Sequence, residues 1–329
     1  MSHIRLSLAI SYYDHVSDLV RGRVRPEGIR LTVTELPVEE IFFRMMSFAE
    51  WDVAELSMAK YVSLVGSGAA PFSAIPVFPS RVFRQSAVYV ATRAGIAGPQ
   101  DLAGKRVGIP EWAQTAGIYA RAYLQHQCGI RLEGIHWVQS GVNEPGRHEK
   151  VNFSLPAGIR IERVEDRSLN QMLLAGELDA IISAREPRAF VEQDPRIARL
   201  WPDYRPLEEA YYRSTGIFPI MHVIVINARK LARHPWVARN LFEAFEEAKT
   251  NSLRHAVRLT TSRFPFAWSH HAAVEATKVF GDDCWPYGIE PNRRTIEAFT
   301  GFCREQGVTG RQVRIEELFP RELAETVKV

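Results

Sequence analysis

Hydrophobic and polar positions alternate in short bursts along this chain, and helical spacings separate the bursts. Ile4, Leu6, Leu8 and Ile10 alternate with Arg5, Ser7 and Ala9. That period of two predicts a strand, not the continuous apolar run of an export signal. A second strand is predicted near residues 29–35. Pro37 then opens a helix in which Ile41, Phe42, Met45 and Met46 fall at helical spacing. A strand at 52–56, a helix at 58–65 and an apolar segment at 72–78 follow. Residues 86–92 read as a strand, and 101–109 as a turn leading into a buried strand. Thr115 is placed to cap a helix that runs to about 127. Further strands are predicted at 135–139, 160–164, 178–183 and 220–226. Further helices are predicted at 168–175, 187–193, 235–262, 271–279 and 292–306. Alternation of this kind from end to end predicts an α/β protein with largely parallel sheets.

At 329 residues, two domains are the default. No low-complexity linker and no repeat separates them. Two lobes joined by crossing strands satisfy both facts, with crossings expected near 83–89 and 218–223. On that reading residues 1–85 and 220–329 form one discontinuous lobe carrying both termini, and 86–219 form the other. The ligand cleft would lie between them.

Composition narrows the class. Hydrophobic residues at 46% and charged residues at 24% fit a folded globular chain and exclude disorder. The net charge of +3 is spread out, and no Lys/Arg block suggests nucleic acid as a partner. No apolar stretch of about 18 residues predicts a membrane span. Cys128, Cys284 and Cys303 stand far apart, without CxxC or zinc-ligand spacing. An odd count suits a disulfide framework poorly, so a reducing cytoplasm is the expected setting. The long C-terminal helices could pack a homo-oligomer or turn their apolar faces inward.

Several runs carry a resemblance. Asp101-Leu102-Ala103-Gly104-Lys105-Arg106-Val107-Gly108 and Leu174-Ala175-Gly176-Glu177-Leu178-Asp179-Ala180 resemble elements of type II periplasmic binding proteins. More specific runs are residues 50–57, 74–84, 215–222 and 281–288. Together they resemble the 4,5-dihydroxyphthalate decarboxylase family over nearly the whole chain. Gln85 departs from the family pattern, where His would follow Phe83-Arg84. The resemblance implies a periplasmic-binding-protein type II-like fold and a cytoplasmic enzyme. The implied reaction is non-oxidative loss of one carboxylate from a hydroxylated aromatic dicarboxylate. The rival reading is a receptor or ligand sensor of the same fold that binds without turnover.

Such chemistry asks for cations on the retained carboxylate, a proton donor at the ring and a partner for the phenol. Arg81 and Arg84 are candidate clamps, because guanidinium forks match carboxylates. Their plainer reading is a surface pair or an interlobe salt bridge. Trp112 and Thr115 sit at a strand-to-helix loop, where a hydroxyl and free N–H groups can bind an anion. They could equally be a core Trp and a capping Thr. Glu55 and Ser57, with Tyr61 one turn on, occupy a similar position, unless Ser57 only caps its helix. His222, beside the second crossing, is a candidate general acid or phenol partner, against a satisfied core histidine. Asp14 and His15, after the first strand, are the other acid–base candidates. Ser183 and Arg185 end a strand of the central lobe and could reach the cleft. His270-His271 and Asp282-Asp283 read as an exposed pair and a capping loop. No metal ligand and no cofactor is predicted, with a divalent metal left open, and the expected partner is a small aromatic carboxylate.

Overall fold

In this computed structural model, residues 3–258, 260 and 264–324 are described. Two sheets carry the chain. The first has five strands in the order β2-β1-β3-β11-β4: β1 (Ile4–Ile10), β2 (Ile29–Glu35), β3 (Val53–Ser57), β4 (Phe72–Ile75) and β11 (His222–Asn227). The second has six in the order β10-β5-β9-β6-β7-β8: β5 (Val88–Ala91), β6 (Arg106–Ile109), β7 (His136–Gln139), β8 (Ile161–Arg163), β9 (Ala180–Ile182) and β10 (Ile197–Arg199).

The sheets are mixed, which corrects the expectation of largely parallel pairing. β1 runs parallel to β2 and β3, but β11 runs antiparallel to β3 and β4. Likewise β6 runs parallel to β7 and β9, while β5 runs antiparallel to β9 and β10. The reversed strands, β5 and β11, follow the two stretches where the chain passes between sheets. A chain arriving from another sheet is not bound by the right-handed βαβ crossover that makes local neighbours parallel. At that passage Arg81 and Ile220 form an isolated antiparallel bridge.

Helix prediction was close where apolar spacing was strong. Pro37 caps the Val38–Phe48 helix, and Ile41 and Met45 are its buried face. The Leu169–Ala175 helix begins at Ser168, whose hydroxyl accepts from Gln171 N in a capping box. The helix expected over 235–262 runs from Trp236 to Ala256, and its expected end at Ser262 lies outside the described residues. A helix at Arg205–Thr215 was not expected; its only buried residue is Tyr211, so it carries almost no apolar stripe.

β3 is the buried centre of the first sheet, with every residue inside. The Arg293–Glu305 helix lies against the Met58–Gly66 and Thr115–His126 helices, so it braces elements that follow strands of both sheets. Beyond it Gln306 accepts from Trp112 Nε1 at 2.8 Å and from Arg121 Nε at 2.8 Å. Gly307 accepts from Ser154 N at 3.0 Å. At φ +70°, with Ser154 O only 1.8 Å from where a Cβ would sit, that position admits only glycine.

Candidate active site

The C-terminal end of β3, at Ser57, forms part of one wall of a cavity between the sheets. β1 and β3 are parallel with Ala9 opposite Ala54, so the end of β1 comes level with Glu55 and the chain leaves it beside that carboxylate. β11 is registered with His222 opposite Ser57. Side chains two apart on a strand share a face, so Glu55, Ser57 and His222 face the same way. Glu55 is fully buried and accepts three hydrogen bonds: from Ser11 N at 2.9 Å, from Tyr13 Oη at 2.6 Å and from His222 Nδ1 at 2.6 Å. With Nδ1 donating to that carboxylate, the imidazole keeps Nε2 for the cavity. The edge of Phe42 meets the other side of the ring, centroids 4.9 Å apart.

The cavity holds about 110 Å³. Phe42, Val38, Met221 and His222 give it an apolar side. Lys60, Arg84, Arg147 and Lys150 line it against only two carboxylates, Glu39 and Glu111, so cations are in excess. Larger grooves of about 830 and 710 Å³ lie elsewhere; neither reaches His222 or Arg84.

Arg84 is half-buried, and its Nε contacts Met221 Sδ at 3.2 Å. Among the described residues no carboxylate forms a salt bridge with it; burial draws its guanidinium down to about 10, with Tyr89 and the Glu208 charge opposing. A guanidinium without a salt bridge beside a cavity can seat a carboxylate. Lys60 is different. Its ammonium meets Glu111 at 2.6 Å and Glu149 at 3.7 Å, and Arg147 meets Glu111 at 2.7 Å. Burial pushes Glu111 up, but Lys60 and Arg147 outweigh it and hold the carboxyl below its ordinary range. Burial raises Glu149, with the nearby Glu111 charge adding to it.

Thr115 is the first helical residue, and Gln114 is the N-cap without a side-chain bond. This corrects the expectation that Thr115 caps its own helix. Its hydroxyl instead accepts from Ala59 N at 3.0 Å and pairs with Ser57 Oγ at 2.9 Å. It therefore caps the Met58–Gly66 helix, which follows β3 of the other sheet. Gln114, Thr115 and Ala116 also line the cavity, turning a helix N-terminus toward it.

Four predicted residues thus meet at the cavity: His222, Arg84, Ser57 and Thr115. Glu55 stands behind His222 and does not line it. Arg185 is exposed and reaches Glu39, which does line it, at 2.7 Å. Ser183 is buried at the end of β9 and accepts from Arg185 N. The others lie elsewhere for visible reasons. Arg81 is buried and donates to Phe218 O, Pro286 O and Asn292 Oδ1, tying the strand passage to the C-terminal region. Trp112 is buried under the Arg121 guanidinium, 3.8 Å from the ring centroid. Tyr61 is buried; it donates to Leu318 O and accepts from Ala74 N at 3.0 Å. Asp14 is exposed. His15 packs between Tyr13 and Trp285, and burial lowers it to about 4.

No protein-family model matches the chain. A full-length relative does. A 4,5-dihydroxyphthalate decarboxylase of Comamonas testosteroni is 33% identical over 330 residues, covering 100% of both chains. The chain belongs to the 4,5-dihydroxyphthalate decarboxylase family. A second member, from Pseudomonas putida, is 37% identical over 215 residues, 65% of this chain and 83% of its own. The enzyme class is carboxy-lyase. Solved structures agree on a periplasmic-binding-protein type II-like fold. The aliphatic sulphonate binding protein SsuA of Escherichia coli matches with TM-score 0.54 at 11% identity, covering 98% of this chain and 99% of its own. The desulfurization enzyme DSZB matches with TM-score 0.52 at 13% identity, covering 97% of each chain. Identities this low show the fold alone.

For this decarboxylase family member, sequence reading overlooked Lys60, Glu111, Arg147 and Tyr13. Lys60 carried a signal: a lone cation in the apolar run Met58-Ala59-Lys60-Tyr61-Val62 must find a buried partner. Glu111 stands two residues beyond β6, at the strand end where α/β sites form. Gln85, the departure from the family pattern, is buried and accepts from Arg84 N at 3.1 Å. It lies next to Arg84 but does not itself line the cavity. Among the described residues no group of three or more His, Cys, Asp or Glu side chains is placed to hold a metal ion.

Proposed function

We propose that this protein removes one carboxylate from 4,5-dihydroxyphthalate to give protocatechuate, with His222 as the proton donor. The observation that carries the reading is the Glu55-supported imidazole facing a cavity lined by surplus cations. A hydroxyl para to the leaving carboxylate feeds electron density to the ipso carbon. The His222 imidazolium transfers its proton from Nε2 to that carbon, and Glu55 stabilises the charged ring beforehand. The C–CO2 bond then breaks, its electron pair restores the aromatic ring, and CO2 departs. His222 regains a proton from solvent. Arg84, Arg147 and Lys150, with the helix N-terminus at Gln114–Ala116, hold the retained carboxylate. The leaving carboxylate faces Phe42 and the Glu39 carboxylate, which favours its conversion to neutral CO2. No electron sink beyond the ring enters these steps.

A cavity of about 110 Å³ lies well below the roughly 300–1,000 Å³ of small-molecule sites. The proposal therefore includes opening, with residues 1–85 plus 220–329 moving against 86–219 and reclosing around substrate.

The test mixes purified, chelator-treated protein with 4,5-dihydroxyphthalate and follows CO2 and protocatechuate in equal amounts. Binding without turnover, with or without divalent metal, would leave a ligand sensor instead. In the same assay Arg84→Met is expected to raise KM more than it lowers kcat. A charge-assisted bond worth about 1.5–3 kcal/mol corresponds to a rise of roughly 10- to 150-fold. An unchanged KM removes Arg84 from the clamp.

A further inference from the structure

Tyr13 lies outside the cavity lining, yet it touches the same atom that His222 uses. Its hydroxyl donates to Glu55 Oε1 at 2.6 Å, and His222 Nδ1 meets that oxygen at 2.6 Å. The two donors stand 3.4 Å from each other. Ser11 N occupies the second oxygen, Oε2, at 2.9 Å. A carboxylate oxygen shared between a neutral hydroxyl and a cationic ring gives less of its charge to the ring. Resting on the proposed decarboxylation, we propose that Tyr13 is a positioning residue whose bond to Glu55 Oε1 sets how strongly His222 holds the proton it delivers.

The geometry favours this over a purely structural role. Tyr13 is held as the phenol: burial and the Glu55 charge push its hydroxyl well above the ordinary tyrosine range. It is therefore a fixed donor that does not titrate with the imidazole. It sits in the loop after β1, where Ser11 and Tyr13 grip both oxygens of one carboxylate from a single short segment. Other charged and titratable groups face the pair. His15 and Tyr287 lie on the Glu55 side and feel its charge. Glu39, Glu111, Lys60, Arg84, Arg147 and Lys150 share the cavity with His222. None of these groups bonds the oxygen that His222 bonds; Tyr13 does.

Removing the hydroxyl has a definite sign. Glu55 Oε1 loses one donor and concentrates its charge on the imidazolium. The ring then keeps its proton to higher pH. Activity needs the protonated ring and is lost as pH rises through its titration, so the alkaline limb of kcat moves up. Tyr13→Phe is expected to shift that limb by roughly 0.5–1 pH unit, within what a changed hydrogen bond to a charged partner produces. Below the limb kcat falls modestly, since a weaker acid gives up its proton more slowly. Site-specific replacement of Tyr13 by 3-fluorotyrosine, a stronger donor of nearly the same shape, shifts the limb the other way.

The experiment pairs pH profiles of kcat with NMR titration of the His222 imidazole in the whole chain. Opposite shifts for the two substitutions, seen by both readouts, support the inference. Titration midpoints that stay put, with kcat changed equally at every pH, overturn it and leave Tyr13 as scaffold. The NMR readout does not need turnover. A chain that fails to decarboxylate would sink the proposed function, while the imidazole titration still decides the role of Tyr13.

Discussion

Replacing His222 with glutamine is expected to lower kcat by roughly 100- to 10,000-fold, the range that a positioned proton donor contributes. Glutamine preserves most of the side-chain volume beside Phe42 and still offers a hydrogen bond to Glu55, but it cannot transfer a proton to carbon. KM should change far less, because the carboxylate clamps lie on other elements: Arg84 on the passage between sheets, Arg147 and Lys150 on the loop after β7. A large rise in KM with kcat retained would make His222 a binding group. Steady-state kinetics with substrate titrations at fixed pH separate the two. Since Glu55 acts through His222, Glu55→Gln should lower kcat as well. The double variant should cost less than the product of the single effects, as expected for residues acting as one unit.

Lys60→Met is expected to give the largest loss of stability among substitutions at the cavity. The lysine is buried, and its ammonium meets Glu111 at 2.6 Å and Glu149 at 3.7 Å. Removing one partner of a buried ion pair costs about 3–5 kcal/mol. Arg147 still pairs with Glu111 here, which favours the lower end, about 3 kcal/mol. At about 2.1 cal/mol/K of unfolding entropy per residue, a chain of 329 residues should then lose roughly 4 °C in its unfolding midpoint. The loss should depend on pH with a definite sign. In the native protein Glu111 is held below its ordinary range, so its contribution is present above the unfolded carboxyl pKa and fades as pH falls. Without Lys60, burial and mutual repulsion raise both carboxyls, and protonation then relieves them. The deficit of the variant should therefore be larger at pH 7 than at pH 5, measured by calorimetry at both. Equal deficits at the two values would show that packing, rather than charge, is what the lysine supplies.

Strands and helices were legible wherever burial wrote a period into the sequence. β1, β3 and the Val38–Phe48 helix each turn one face or both toward a core, and their apolar spacing says so. Strand direction was not legible. Antiparallel β5 and β11 read like their parallel neighbours, because a buried strand is apolar on both faces whichever way it runs. The site divided along a similar line. His222, Ser57, Thr115 and Arg84 stand at strand ends or beside the passages between sheets, positions that pattern can locate. Arg81 stands in the same run as Arg84, and sequence offers nothing to separate them. One faces the cavity, while the other turns into backbone carbonyls at Phe218 and Pro286. Arg147 and Lys150 come from a polar loop without periodicity, so only the folded chain brings them to Glu111. Asp14 and His15 were favoured by chemical type and by their place after the first strand. The tyrosine one position earlier is the residue that reaches Glu55.

The Thr115 hydroxyl and the Lys60 ammonium both bind groups from across the cleft. Each lobe supplies a group that finishes the other: Thr115 completes the start of the Met58–Gly66 helix, and Glu111 and Glu149 satisfy Lys60. The closed arrangement therefore carries its own latch, and parting the lobes as proposed would leave a buried ammonium and a helix N–H without their partners. The free protein should rest closed, so that entry of the ring waits on the breaking of these bonds.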